Sequence, residues 1–511
     1  MKILYCSYEV APFYKKGGLG DVAGSLPKAL KKLGVDISVV MPKYNIKNKK
    51  LKIKNTNKKF KIEFSKKEEI VGIWESVLPG SEVPIYFLEN NRYLNEIKKD
   101  RAESMEQFAF FSKAIVEFTN FQHRDSRRNR HAELISASSG ILKQVQNDKN
   151  GYDLIHLNDW HTALVPLLSK LQQSDQRPAT FLTVHNFAHK GKAPLDFLAK
   201  LGISPEDSRA LTWDISDQDL EILMQGIIHA DLINTVSPTY AKEILEPETW
   251  GKLSKVLKGK EGRVKGILNS IDYDVWDPEI DPHLQINFGS DSRFKAQGSR
   301  SDIKNWQEGK RANKLALQKE LGLKIDENKP LLAFIGRLAG KQKGLDILYE
   351  ALIKLLSREK FQFVLLGTGS EEWEDKFREL DKRGVMKAKI CFDERLAHQI
   401  YAGADFILVP SKFEPCGLIQ MIAMRYGTLP IVRKTGGLAD TVKDGVNGFV
   451  FEEYSDKALV QCIQRALGAY QREANYKQMI ERVMKEDFSW EKRAQEYLEL
   501  YKEALEIRGE S

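Results

Sequence analysis

The chain has 511 residues, 42% of them hydrophobic, 29% charged and 10% aromatic, which is too long for one ordinary domain and excludes a disordered or fibrous protein. Its net charge of +8 lies in dispersed lysines such as "NIKNKKLKIKNTNKKF" (45–60); with no aromatic interleaving this reads as a solvated basic face, and no nucleic-acid partner is expected. No apolar run reaches the ~18 residues that span a bilayer, "MKILYCSYEV" lacks the features of a secretory signal, and Cys6, Cys391, Cys416 and Cys462 have no paired spacing, so a cytoplasmic protein with reduced thiols and no membrane partner is expected.

The first elements read strand, glycine loop, helix, strand. "KILYCSY" (2–8) is β-rich, and Ala23, Leu26, Ala29, Leu30 and Leu33 recur at helical spacing up to a stop at Gly34. Pro27 inside that pattern predicts a kink or a late helix start. "DISVVMP" (36–42), "KIEF", "IVGIWESVL" and "VPIYFLE" follow as strands, and a helix is expected around "MEQFAFFSKAIVEFTNF" (105–121). "HRDSRRNRHAELISASSGILKQVQNDKN" (123–150) has no sustained apolar period and reads as a mobile insert without chemistry, similar to a translated mobile repeat. The strands "DLIHLND", "ATFLTVHN" and "ADLINTVSP" are continuous apolar runs, as in a parallel sheet covered on both faces.

Past "GILNSIDYDVWDP" (266–278) the chain turns polar, and "NFGSDSRFKAQGSRSDIKNWQEGK" (287–310) has linker composition. A second alternation of strands and helices then runs through "PLLAFIGR", "FQFVLLGTG", "AKICF", "DFILVPS" and "LPIVRKTGG". "DFSWEKRAQEYLELYKEALE" closes the chain as one amphipathic helix. The expected fold class is α/β, with two Rossmann-like doubly wound domains. The expected division is 1–275, with its insert at 123–150, a polar linker at 276–310, a second domain at 311–486 and a C-terminal helix at 487–511.

"KKGGLGD" (15–21) returns almost letter for letter as "KTGGLAD" (434–440). "GLGDVA" also fits a dinucleotide fingerprint, but about ten residues separate it from the strand and no acid ends the second strand, so an NAD enzyme is set aside. Glycines let backbone N–H groups approach an anion, a following helix N-terminus adds partial positive charge, and a leading lysine adds a full one. Two such loops suit a sugar nucleotide. "NDWH" (158–161) and "HN" (185–186) end first-domain strands, "GRLAGKQKG" carries Arg337 and Lys343, and "SKFEPCGL" carries Glu414. Cations at these strand ends could hold a diphosphate leaving group.

"KKGGLGD", "NDWH", "TVHNFAHKG", "TVSPTYAKEI", "GILNSID", "SKFEPCGLIQMIAMRYGTLPIVRKTGGLADTV" and "DFSW" occur in an order and spacing that resemble the bacterial glycogen synthases and starch synthases. The resemblance spans nearly the whole chain outside 123–150 and about 285–308. It implies the GT-B architecture, two domains facing a deep cleft. It also implies retaining transfer of glucose from ADP-glucose to the non-reducing end of an α-1,4-glucan such as glycogen, with no cofactor and no metal. His161, Glu414, Arg337 and Lys343 match the family's catalytic residues; Lys15, Gly17, Gly18, Asp21, Asn269, Thr435, Gly436, Gly437 and Leu438 match its donor-binding residues. Position 16 is Lys where the family has Thr, Lys341 could take the place of Lys343, and Ile422 stands where related retaining enzymes carry a second Glu. UDP-glucose as donor, a phosphorylase requiring pyridoxal phosphate and a non-catalytic glucan-binding relative are the alternatives.

Overall fold

A computed structural model describes residues 1–46, 51–98, 100–136, 151–172, 177–194, 196–214, 219–246, 250–289, 304–356, 360–384 and 386–509. The chain forms two compact units, one of Met1–Val236, Ala241–Ile267 and Trp490–Ser511, the other of Ser237–Tyr240 and Leu268–Ser489.

The first unit is built on β1 (Lys2–Cys6), β2 (Asp36–Pro42), β3 (Lys54–Phe64), β4 (Lys67–Val77), β5 (Pro84–Glu89), β6 (Leu154–Asn158) and β7 (Ala179–Val184), followed by the short pair β8 (Lys192–Ala193) and β9 (Leu220–Glu221), then β10 (Leu232–Thr235) and β11 (Val264–Gly266). Its nine-stranded sheet has the order β11-β10-β7-β6-β1-β2-β5-β4-β3. Pairing is parallel from β11 to β5 and antiparallel across β5, β4 and β3. The central strands β1, β6 and β7 are almost wholly buried, which is why they read as unbroken apolar runs. Edge strand β3 instead alternates, with Lys58, Lys59 and Lys61 exposed. Lysines on a sheet edge oppose pairing with another chain.

Helix α1 (Gly18–Lys32) follows β1 and buries Val22, Ala23, Leu26 and Leu30. It starts within the glycine loop, at Gly18, and contains Pro27, so the late start is not observed. The helix Trp490–Gly509 packs in the same core through Trp490, Tyr497 and Tyr501. Tyr501 bonds His156 Nδ1 at 2.6 Å, and His156 Nε2 lies 2.8 Å from Thr183 Oγ1. Burial holds His156 well below the usual imidazole range.

The second unit has the short pair β12 (Phe288–Gly289) and β13 (Lys304–Asn305), and a six-stranded sheet of β14 (Leu331–Ile335), β15 (Gln362–Gly367), β16 (Lys387–Ile390), β17 (Phe406–Val409), β18 (Leu429–Arg433) and β19 (Phe449–Phe451). Its order is β16-β15-β14-β17-β18-β19, parallel throughout. Both sheets are doubly wound, as the alternating pattern implied.

Three expectations need correction. Helix α2 (Arg101–Ser136) continues through the first half of the supposed insert, so residues 123–136 are helical; residues 137–150 lie outside the described residues. The units divide at Ile267 and Leu268, not at 275, and Ser237–Tyr240 belongs to the second unit although first-unit residues flank it in sequence. The expected linker at 276–310 is part of the second unit, where the helix Trp306–Glu320 begins with Asn305 capping Glu308 N–H at 3.0 Å; of the linker, residues 290–303 lie outside the described residues.

Candidate active site

In an open parallel sheet, ligands gather beyond the carboxyl ends of the strands where the order reverses. In the first unit that point lies between β1 and β6, and in the second between β14 and β17. The loops leaving these four strands are the glycine loop, "NDWH", "GRLAGKQKG" and "SKFEPCGL". Most of the residues singled out by motif therefore lie at or beside the switch point of their own unit.

In the first unit, Lys15 Nζ pairs with Asp21 Oδ1 at 2.8 Å, joining the head of the loop to the first turn of α1. Gly17 precedes the helix in an extended conformation, and Lys15, Gly17 and Gly18 are exposed. The N–H groups of Lys16 and Gly17 do not point at open solvent. Both donate to the carboxylate of Glu9, the second at 3.0 Å. Glu9 is buried, which raises its pKa, and the Tyr8 hydroxyl also donates to it.

Beyond β6, Asp159 turns the chain with φ of 56°. Its buried carboxylate accepts the N–H groups of His185, at 2.7 Å, and of Asn186, and burial lifts its pKa to about 7. Asn158 Oδ1 accepts from His185 Nε2 at 2.9 Å and from the Tyr5 hydroxyl at 3.2 Å, while Asn158 Nδ2 donates to the Cys6 carbonyl at 2.9 Å. This ties the ends of β1, β6 and β7 together. Burial pushes His185 down to about 3. His161 follows in an aromatic box, its ring stacked on Tyr8 at 3.7 Å and edge-on to Phe108 at 4.5 Å. Burial, then the charge of Lys16 with His189 and His185, keeps it well below the ordinary imidazole pKa, so the ring is neutral. Its Nδ1 is buried and makes no hydrogen bond among the described residues.

In the second unit, Glu414 is buried and its Oε2 accepts from Lys343 Nζ at 2.7 Å and from Ser411 Oγ at 2.8 Å. Gly344 makes this approach possible. Its φ is +67° and an added Cβ would lie 2.0 Å from the Pro410 carbonyl oxygen. Lys412 N–H also reaches the Gln342 carbonyl at 2.8 Å. Lys343, not Lys341, is the lysine on Glu414; Lys341 is exposed. Arg337 is exposed with Nη2 3.4 Å from Gln342 Oε1, and it does not touch Glu414.

The second glycine loop is seated behind Glu414. Thr435, Gly436, Gly437 and Leu438 are all buried, and Gly437 N–H donates to the Glu414 carbonyl at 3.1 Å. A Cβ on Gly436 would lie 2.0 Å from that carbonyl oxygen, and one on Gly437 2.2 Å from that of Cys416. Its leading residue, Lys434, pairs with Glu452 at 2.7 Å on the surface. The lysine at the head of both loops therefore does not do the same thing twice. Asn269 is buried in the second unit with its Oδ1 unpaired among the described residues, and no described contact joins it to Glu414.

Sequence reasoning missed Glu9 and Tyr8, and it carried Asp159 and Ser411 inside motifs without a role of their own. Glu9 had a signal, since it is the one acid in the otherwise apolar and small run "YCSYEVAPF". Among the described residues no three His, Cys, Asp or Glu side chains converge to hold a metal ion, and no helix is long and apolar enough to cross a membrane.

Comparison with known proteins sets these clusters in context. Residues 2–259 match the starch synthase catalytic domain family, and residues 318–483 match the glycosyl transferases group 1. The chain is 38% identical over 524 residues to a glycogen synthase of Thermotoga petrophila and 36% identical over 528 residues to one of Syntrophotalea carbinolica, with 99% of each chain covered. Among solved structures it resembles the catalytic domain of starch synthase IV from Arabidopsis thaliana bound to ADP and acarbose, with a TM-score of 0.84, 30% identity and 99% of both chains covered. A sucrose-phosphate synthase from Thermosynechococcus elongatus, at 18% identity, 98% coverage of both chains and a TM-score of 0.55, shares the fold.

Proposed function

The chain belongs to the glycogen synthase and starch synthase family of GT-B glycosyltransferases, and we propose that it transfers glucose from ADP-glucose to the non-reducing 4-hydroxyl of an α-1,4-glucan with retention of configuration. The observation that carries this is the second unit's switch point, where a lysine and a serine hold a buried glutamate against a glycine turn. Relatives named glycogen synthase over the full length, and a similar structure described with ADP and acarbose, support the same donor and acceptor classes.

The reaction breaks the bond from the anomeric carbon to the diphosphate, and the electron pair stays on the phosphate oxygen. Arg337, Lys343 and Lys15 are the cations assigned to that growing charge, with no metal required and no cofactor. The acceptor oxygen then bonds the anomeric carbon on the face the diphosphate leaves, and its proton passes to the departing phosphate. A double displacement would call for a second carboxylate beside Glu414, and Ile422 stands where related retaining enzymes carry that second Glu. We assign Glu414 instead to positioning the glucose, and the neutral His161 to the sugar side of the donor.

Incorporation of labelled glucose into glycogen from ADP-glucose and from UDP-glucose, with and without EDTA, tests this. ADP-glucose should be the better donor, and EDTA should change nothing. A strict magnesium requirement would overturn the metal-free mechanism, and a covalent glucosyl adduct on Glu414 would overturn the single displacement. Glucan binding without transfer from either donor would make the chain a non-catalytic relative.

A further inference from the structure

We propose that Glu9 is the positioning residue of the first unit's donor-binding cluster: its carboxylate holds the glycine loop and, through Tyr8, the ring of His161 as one preset assembly. The inference rests on the glucosyl-transfer reading above. Glu9 lies three residues past β1 and is only 1% exposed. Its backbone is fixed by Ser7, whose hydroxyl donates to the Glu9 carbonyl at 2.6 Å. From there the carboxylate collects the Lys16 N–H, the Gly17 N–H and the Tyr8 hydroxyl. The Tyr8 ring lies on His161 with centroids 3.7 Å apart and planes 24° from parallel. One buried group thus touches the loop directly and the histidine through a single intermediary.

A carboxylate is a costly way merely to satisfy two amides. Burying its charge costs several kcal/mol before its partners offset it. Lys16 and Gly17 are exposed residues, yet their N–H groups turn inward to the carboxylate. The second glycine loop differs in conformation, with φ of +45° at Gly436 where Gly17 is extended, and it satisfies its Gly437 N–H on a backbone carbonyl without any carboxylate. What Glu9 adds is a fixed link between the glycine loop and His161, which are far apart in the sequence. It also occupies the two amides that the glycine pattern offered to an anion. Contact between this loop and a phosphate then falls to the side chain of Lys15, whose ammonium is held at 2.8 Å from Asp21, and to the N–H groups of the first turn of α1.

The test is a double-mutant cycle on the full chain with Glu9→Gln, which keeps size and removes charge, and His161→Ala. Glu9→Gln should lower kcat by about 10- to 100-fold while the KM for ADP-glucose moves by less than about 3-fold, because orientation is lost and not ground-state affinity. Tyr8→Phe should cost about 3- to 10-fold. In the His161→Ala background, Glu9→Gln should cost much less than it does alone, since part of what it holds is already gone. Wild-type kcat in Glu9→Gln, or full additivity in the double variant, would overturn the proposal. If the wild-type chain transfers no glucose, the transfer reading fails by itself. Glu9 is then read by hydrogen exchange of the Lys16 and Gly17 amides and by the rate at which diethyl pyrocarbonate modifies His161. Changed rates for both in Glu9→Gln support the link, and an unchanged rate for either overturns it.

Discussion

The loops at 15–21 and 434–440 differ at only two of seven positions, yet their surroundings are opposite. The first is exposed at its lysine and glycines and is organised by charge: Asp21 on Lys15, Glu9 on the two loop amides. The second is buried at Thr435–Leu438 and is organised by backbone contact, its glycines lying where any side chain would strike Glu414 or Cys416. A glycine pattern therefore specifies a tight strand-to-helix turn, and the residues around it decide whether that turn presents a charge or backs another residue. In this protein the first loop presents a cation and the second holds Glu414 in place.

The largest effects should come from the residues the loops serve. Glu414→Ala and His161→Ala should each lower turnover by at least ~100-fold, the loss of a few kcal/mol of transition-state stabilisation. Removing Glu414 also strands Lys343, and breaking a buried pair costs about 3–5 kcal/mol, so Glu414→Gln is the companion variant when the thermal midpoint falls. Wild-type turnover in a folded variant would remove that residue from the site. Next comes a pair of glycine substitutions. Gly437→Ala should lower the thermal midpoint by several degrees and turnover by about 10-fold or more, because a Cβ there must displace the segment carrying Glu414. In Gly17→Ala the new Cβ would sit 3.8 Å from Glu9 Oε1, an ordinary contact, and the midpoint should stay within about 2 °C. Equal losses would erase the distinction between the loops.

A smaller effect separates the units. His156, His161, His185 and His229 all belong to the first unit, and burial holds each below the ordinary imidazole value, His185 at about 3 and His229 at about 4. The unfolded chain protonates them near pH 6.5, so their contribution is present above that pH and is lost as pH falls toward 4. The raised pKa values of Asp159, about 7, and Glu9 act in the opposite sense over part of that range, leaving four groups against two. The first unit should lose stability between pH 6.5 and about 4, read as a falling thermal midpoint, and His229→Gln should flatten that fall by about one proton. An unchanged slope would show that His229 is not held neutral.

Much of the fold was legible because it is written locally. Strands such as β6 and β18 are short apolar runs ending in a polar residue, and the candidate site residues follow those ends. What escaped was non-local. The assignment of Ser237–Tyr240 to the second unit depends on Ser237 Oγ reaching the Pro415 carbonyl at 2.7 Å and Thr239 Oγ1 reaching Asp440 at 2.6 Å, partners 178 and 201 residues away. The helical course of 123–136 also defeated its composition, since "RDSRRNRHAE" carries no apolar stripe and its helix extends one that begins at Arg101. Lys434 misled for the same reason, because only the fold could bring Glu452 to it.

The most direct measurement is a comparison of Lys15→Ala with Lys434→Ala in kcat/KM for ADP-glucose. Lys15 is assigned to the donor, and its loss should cost at least ~10-fold. Lys434 forms an exposed ion pair with Glu452, and surface pairs contribute about 0–1 kcal/mol to stability, so its loss should change kcat/KM by less than about 2-fold. Equal losses, or a larger loss at Lys434, would contradict the account.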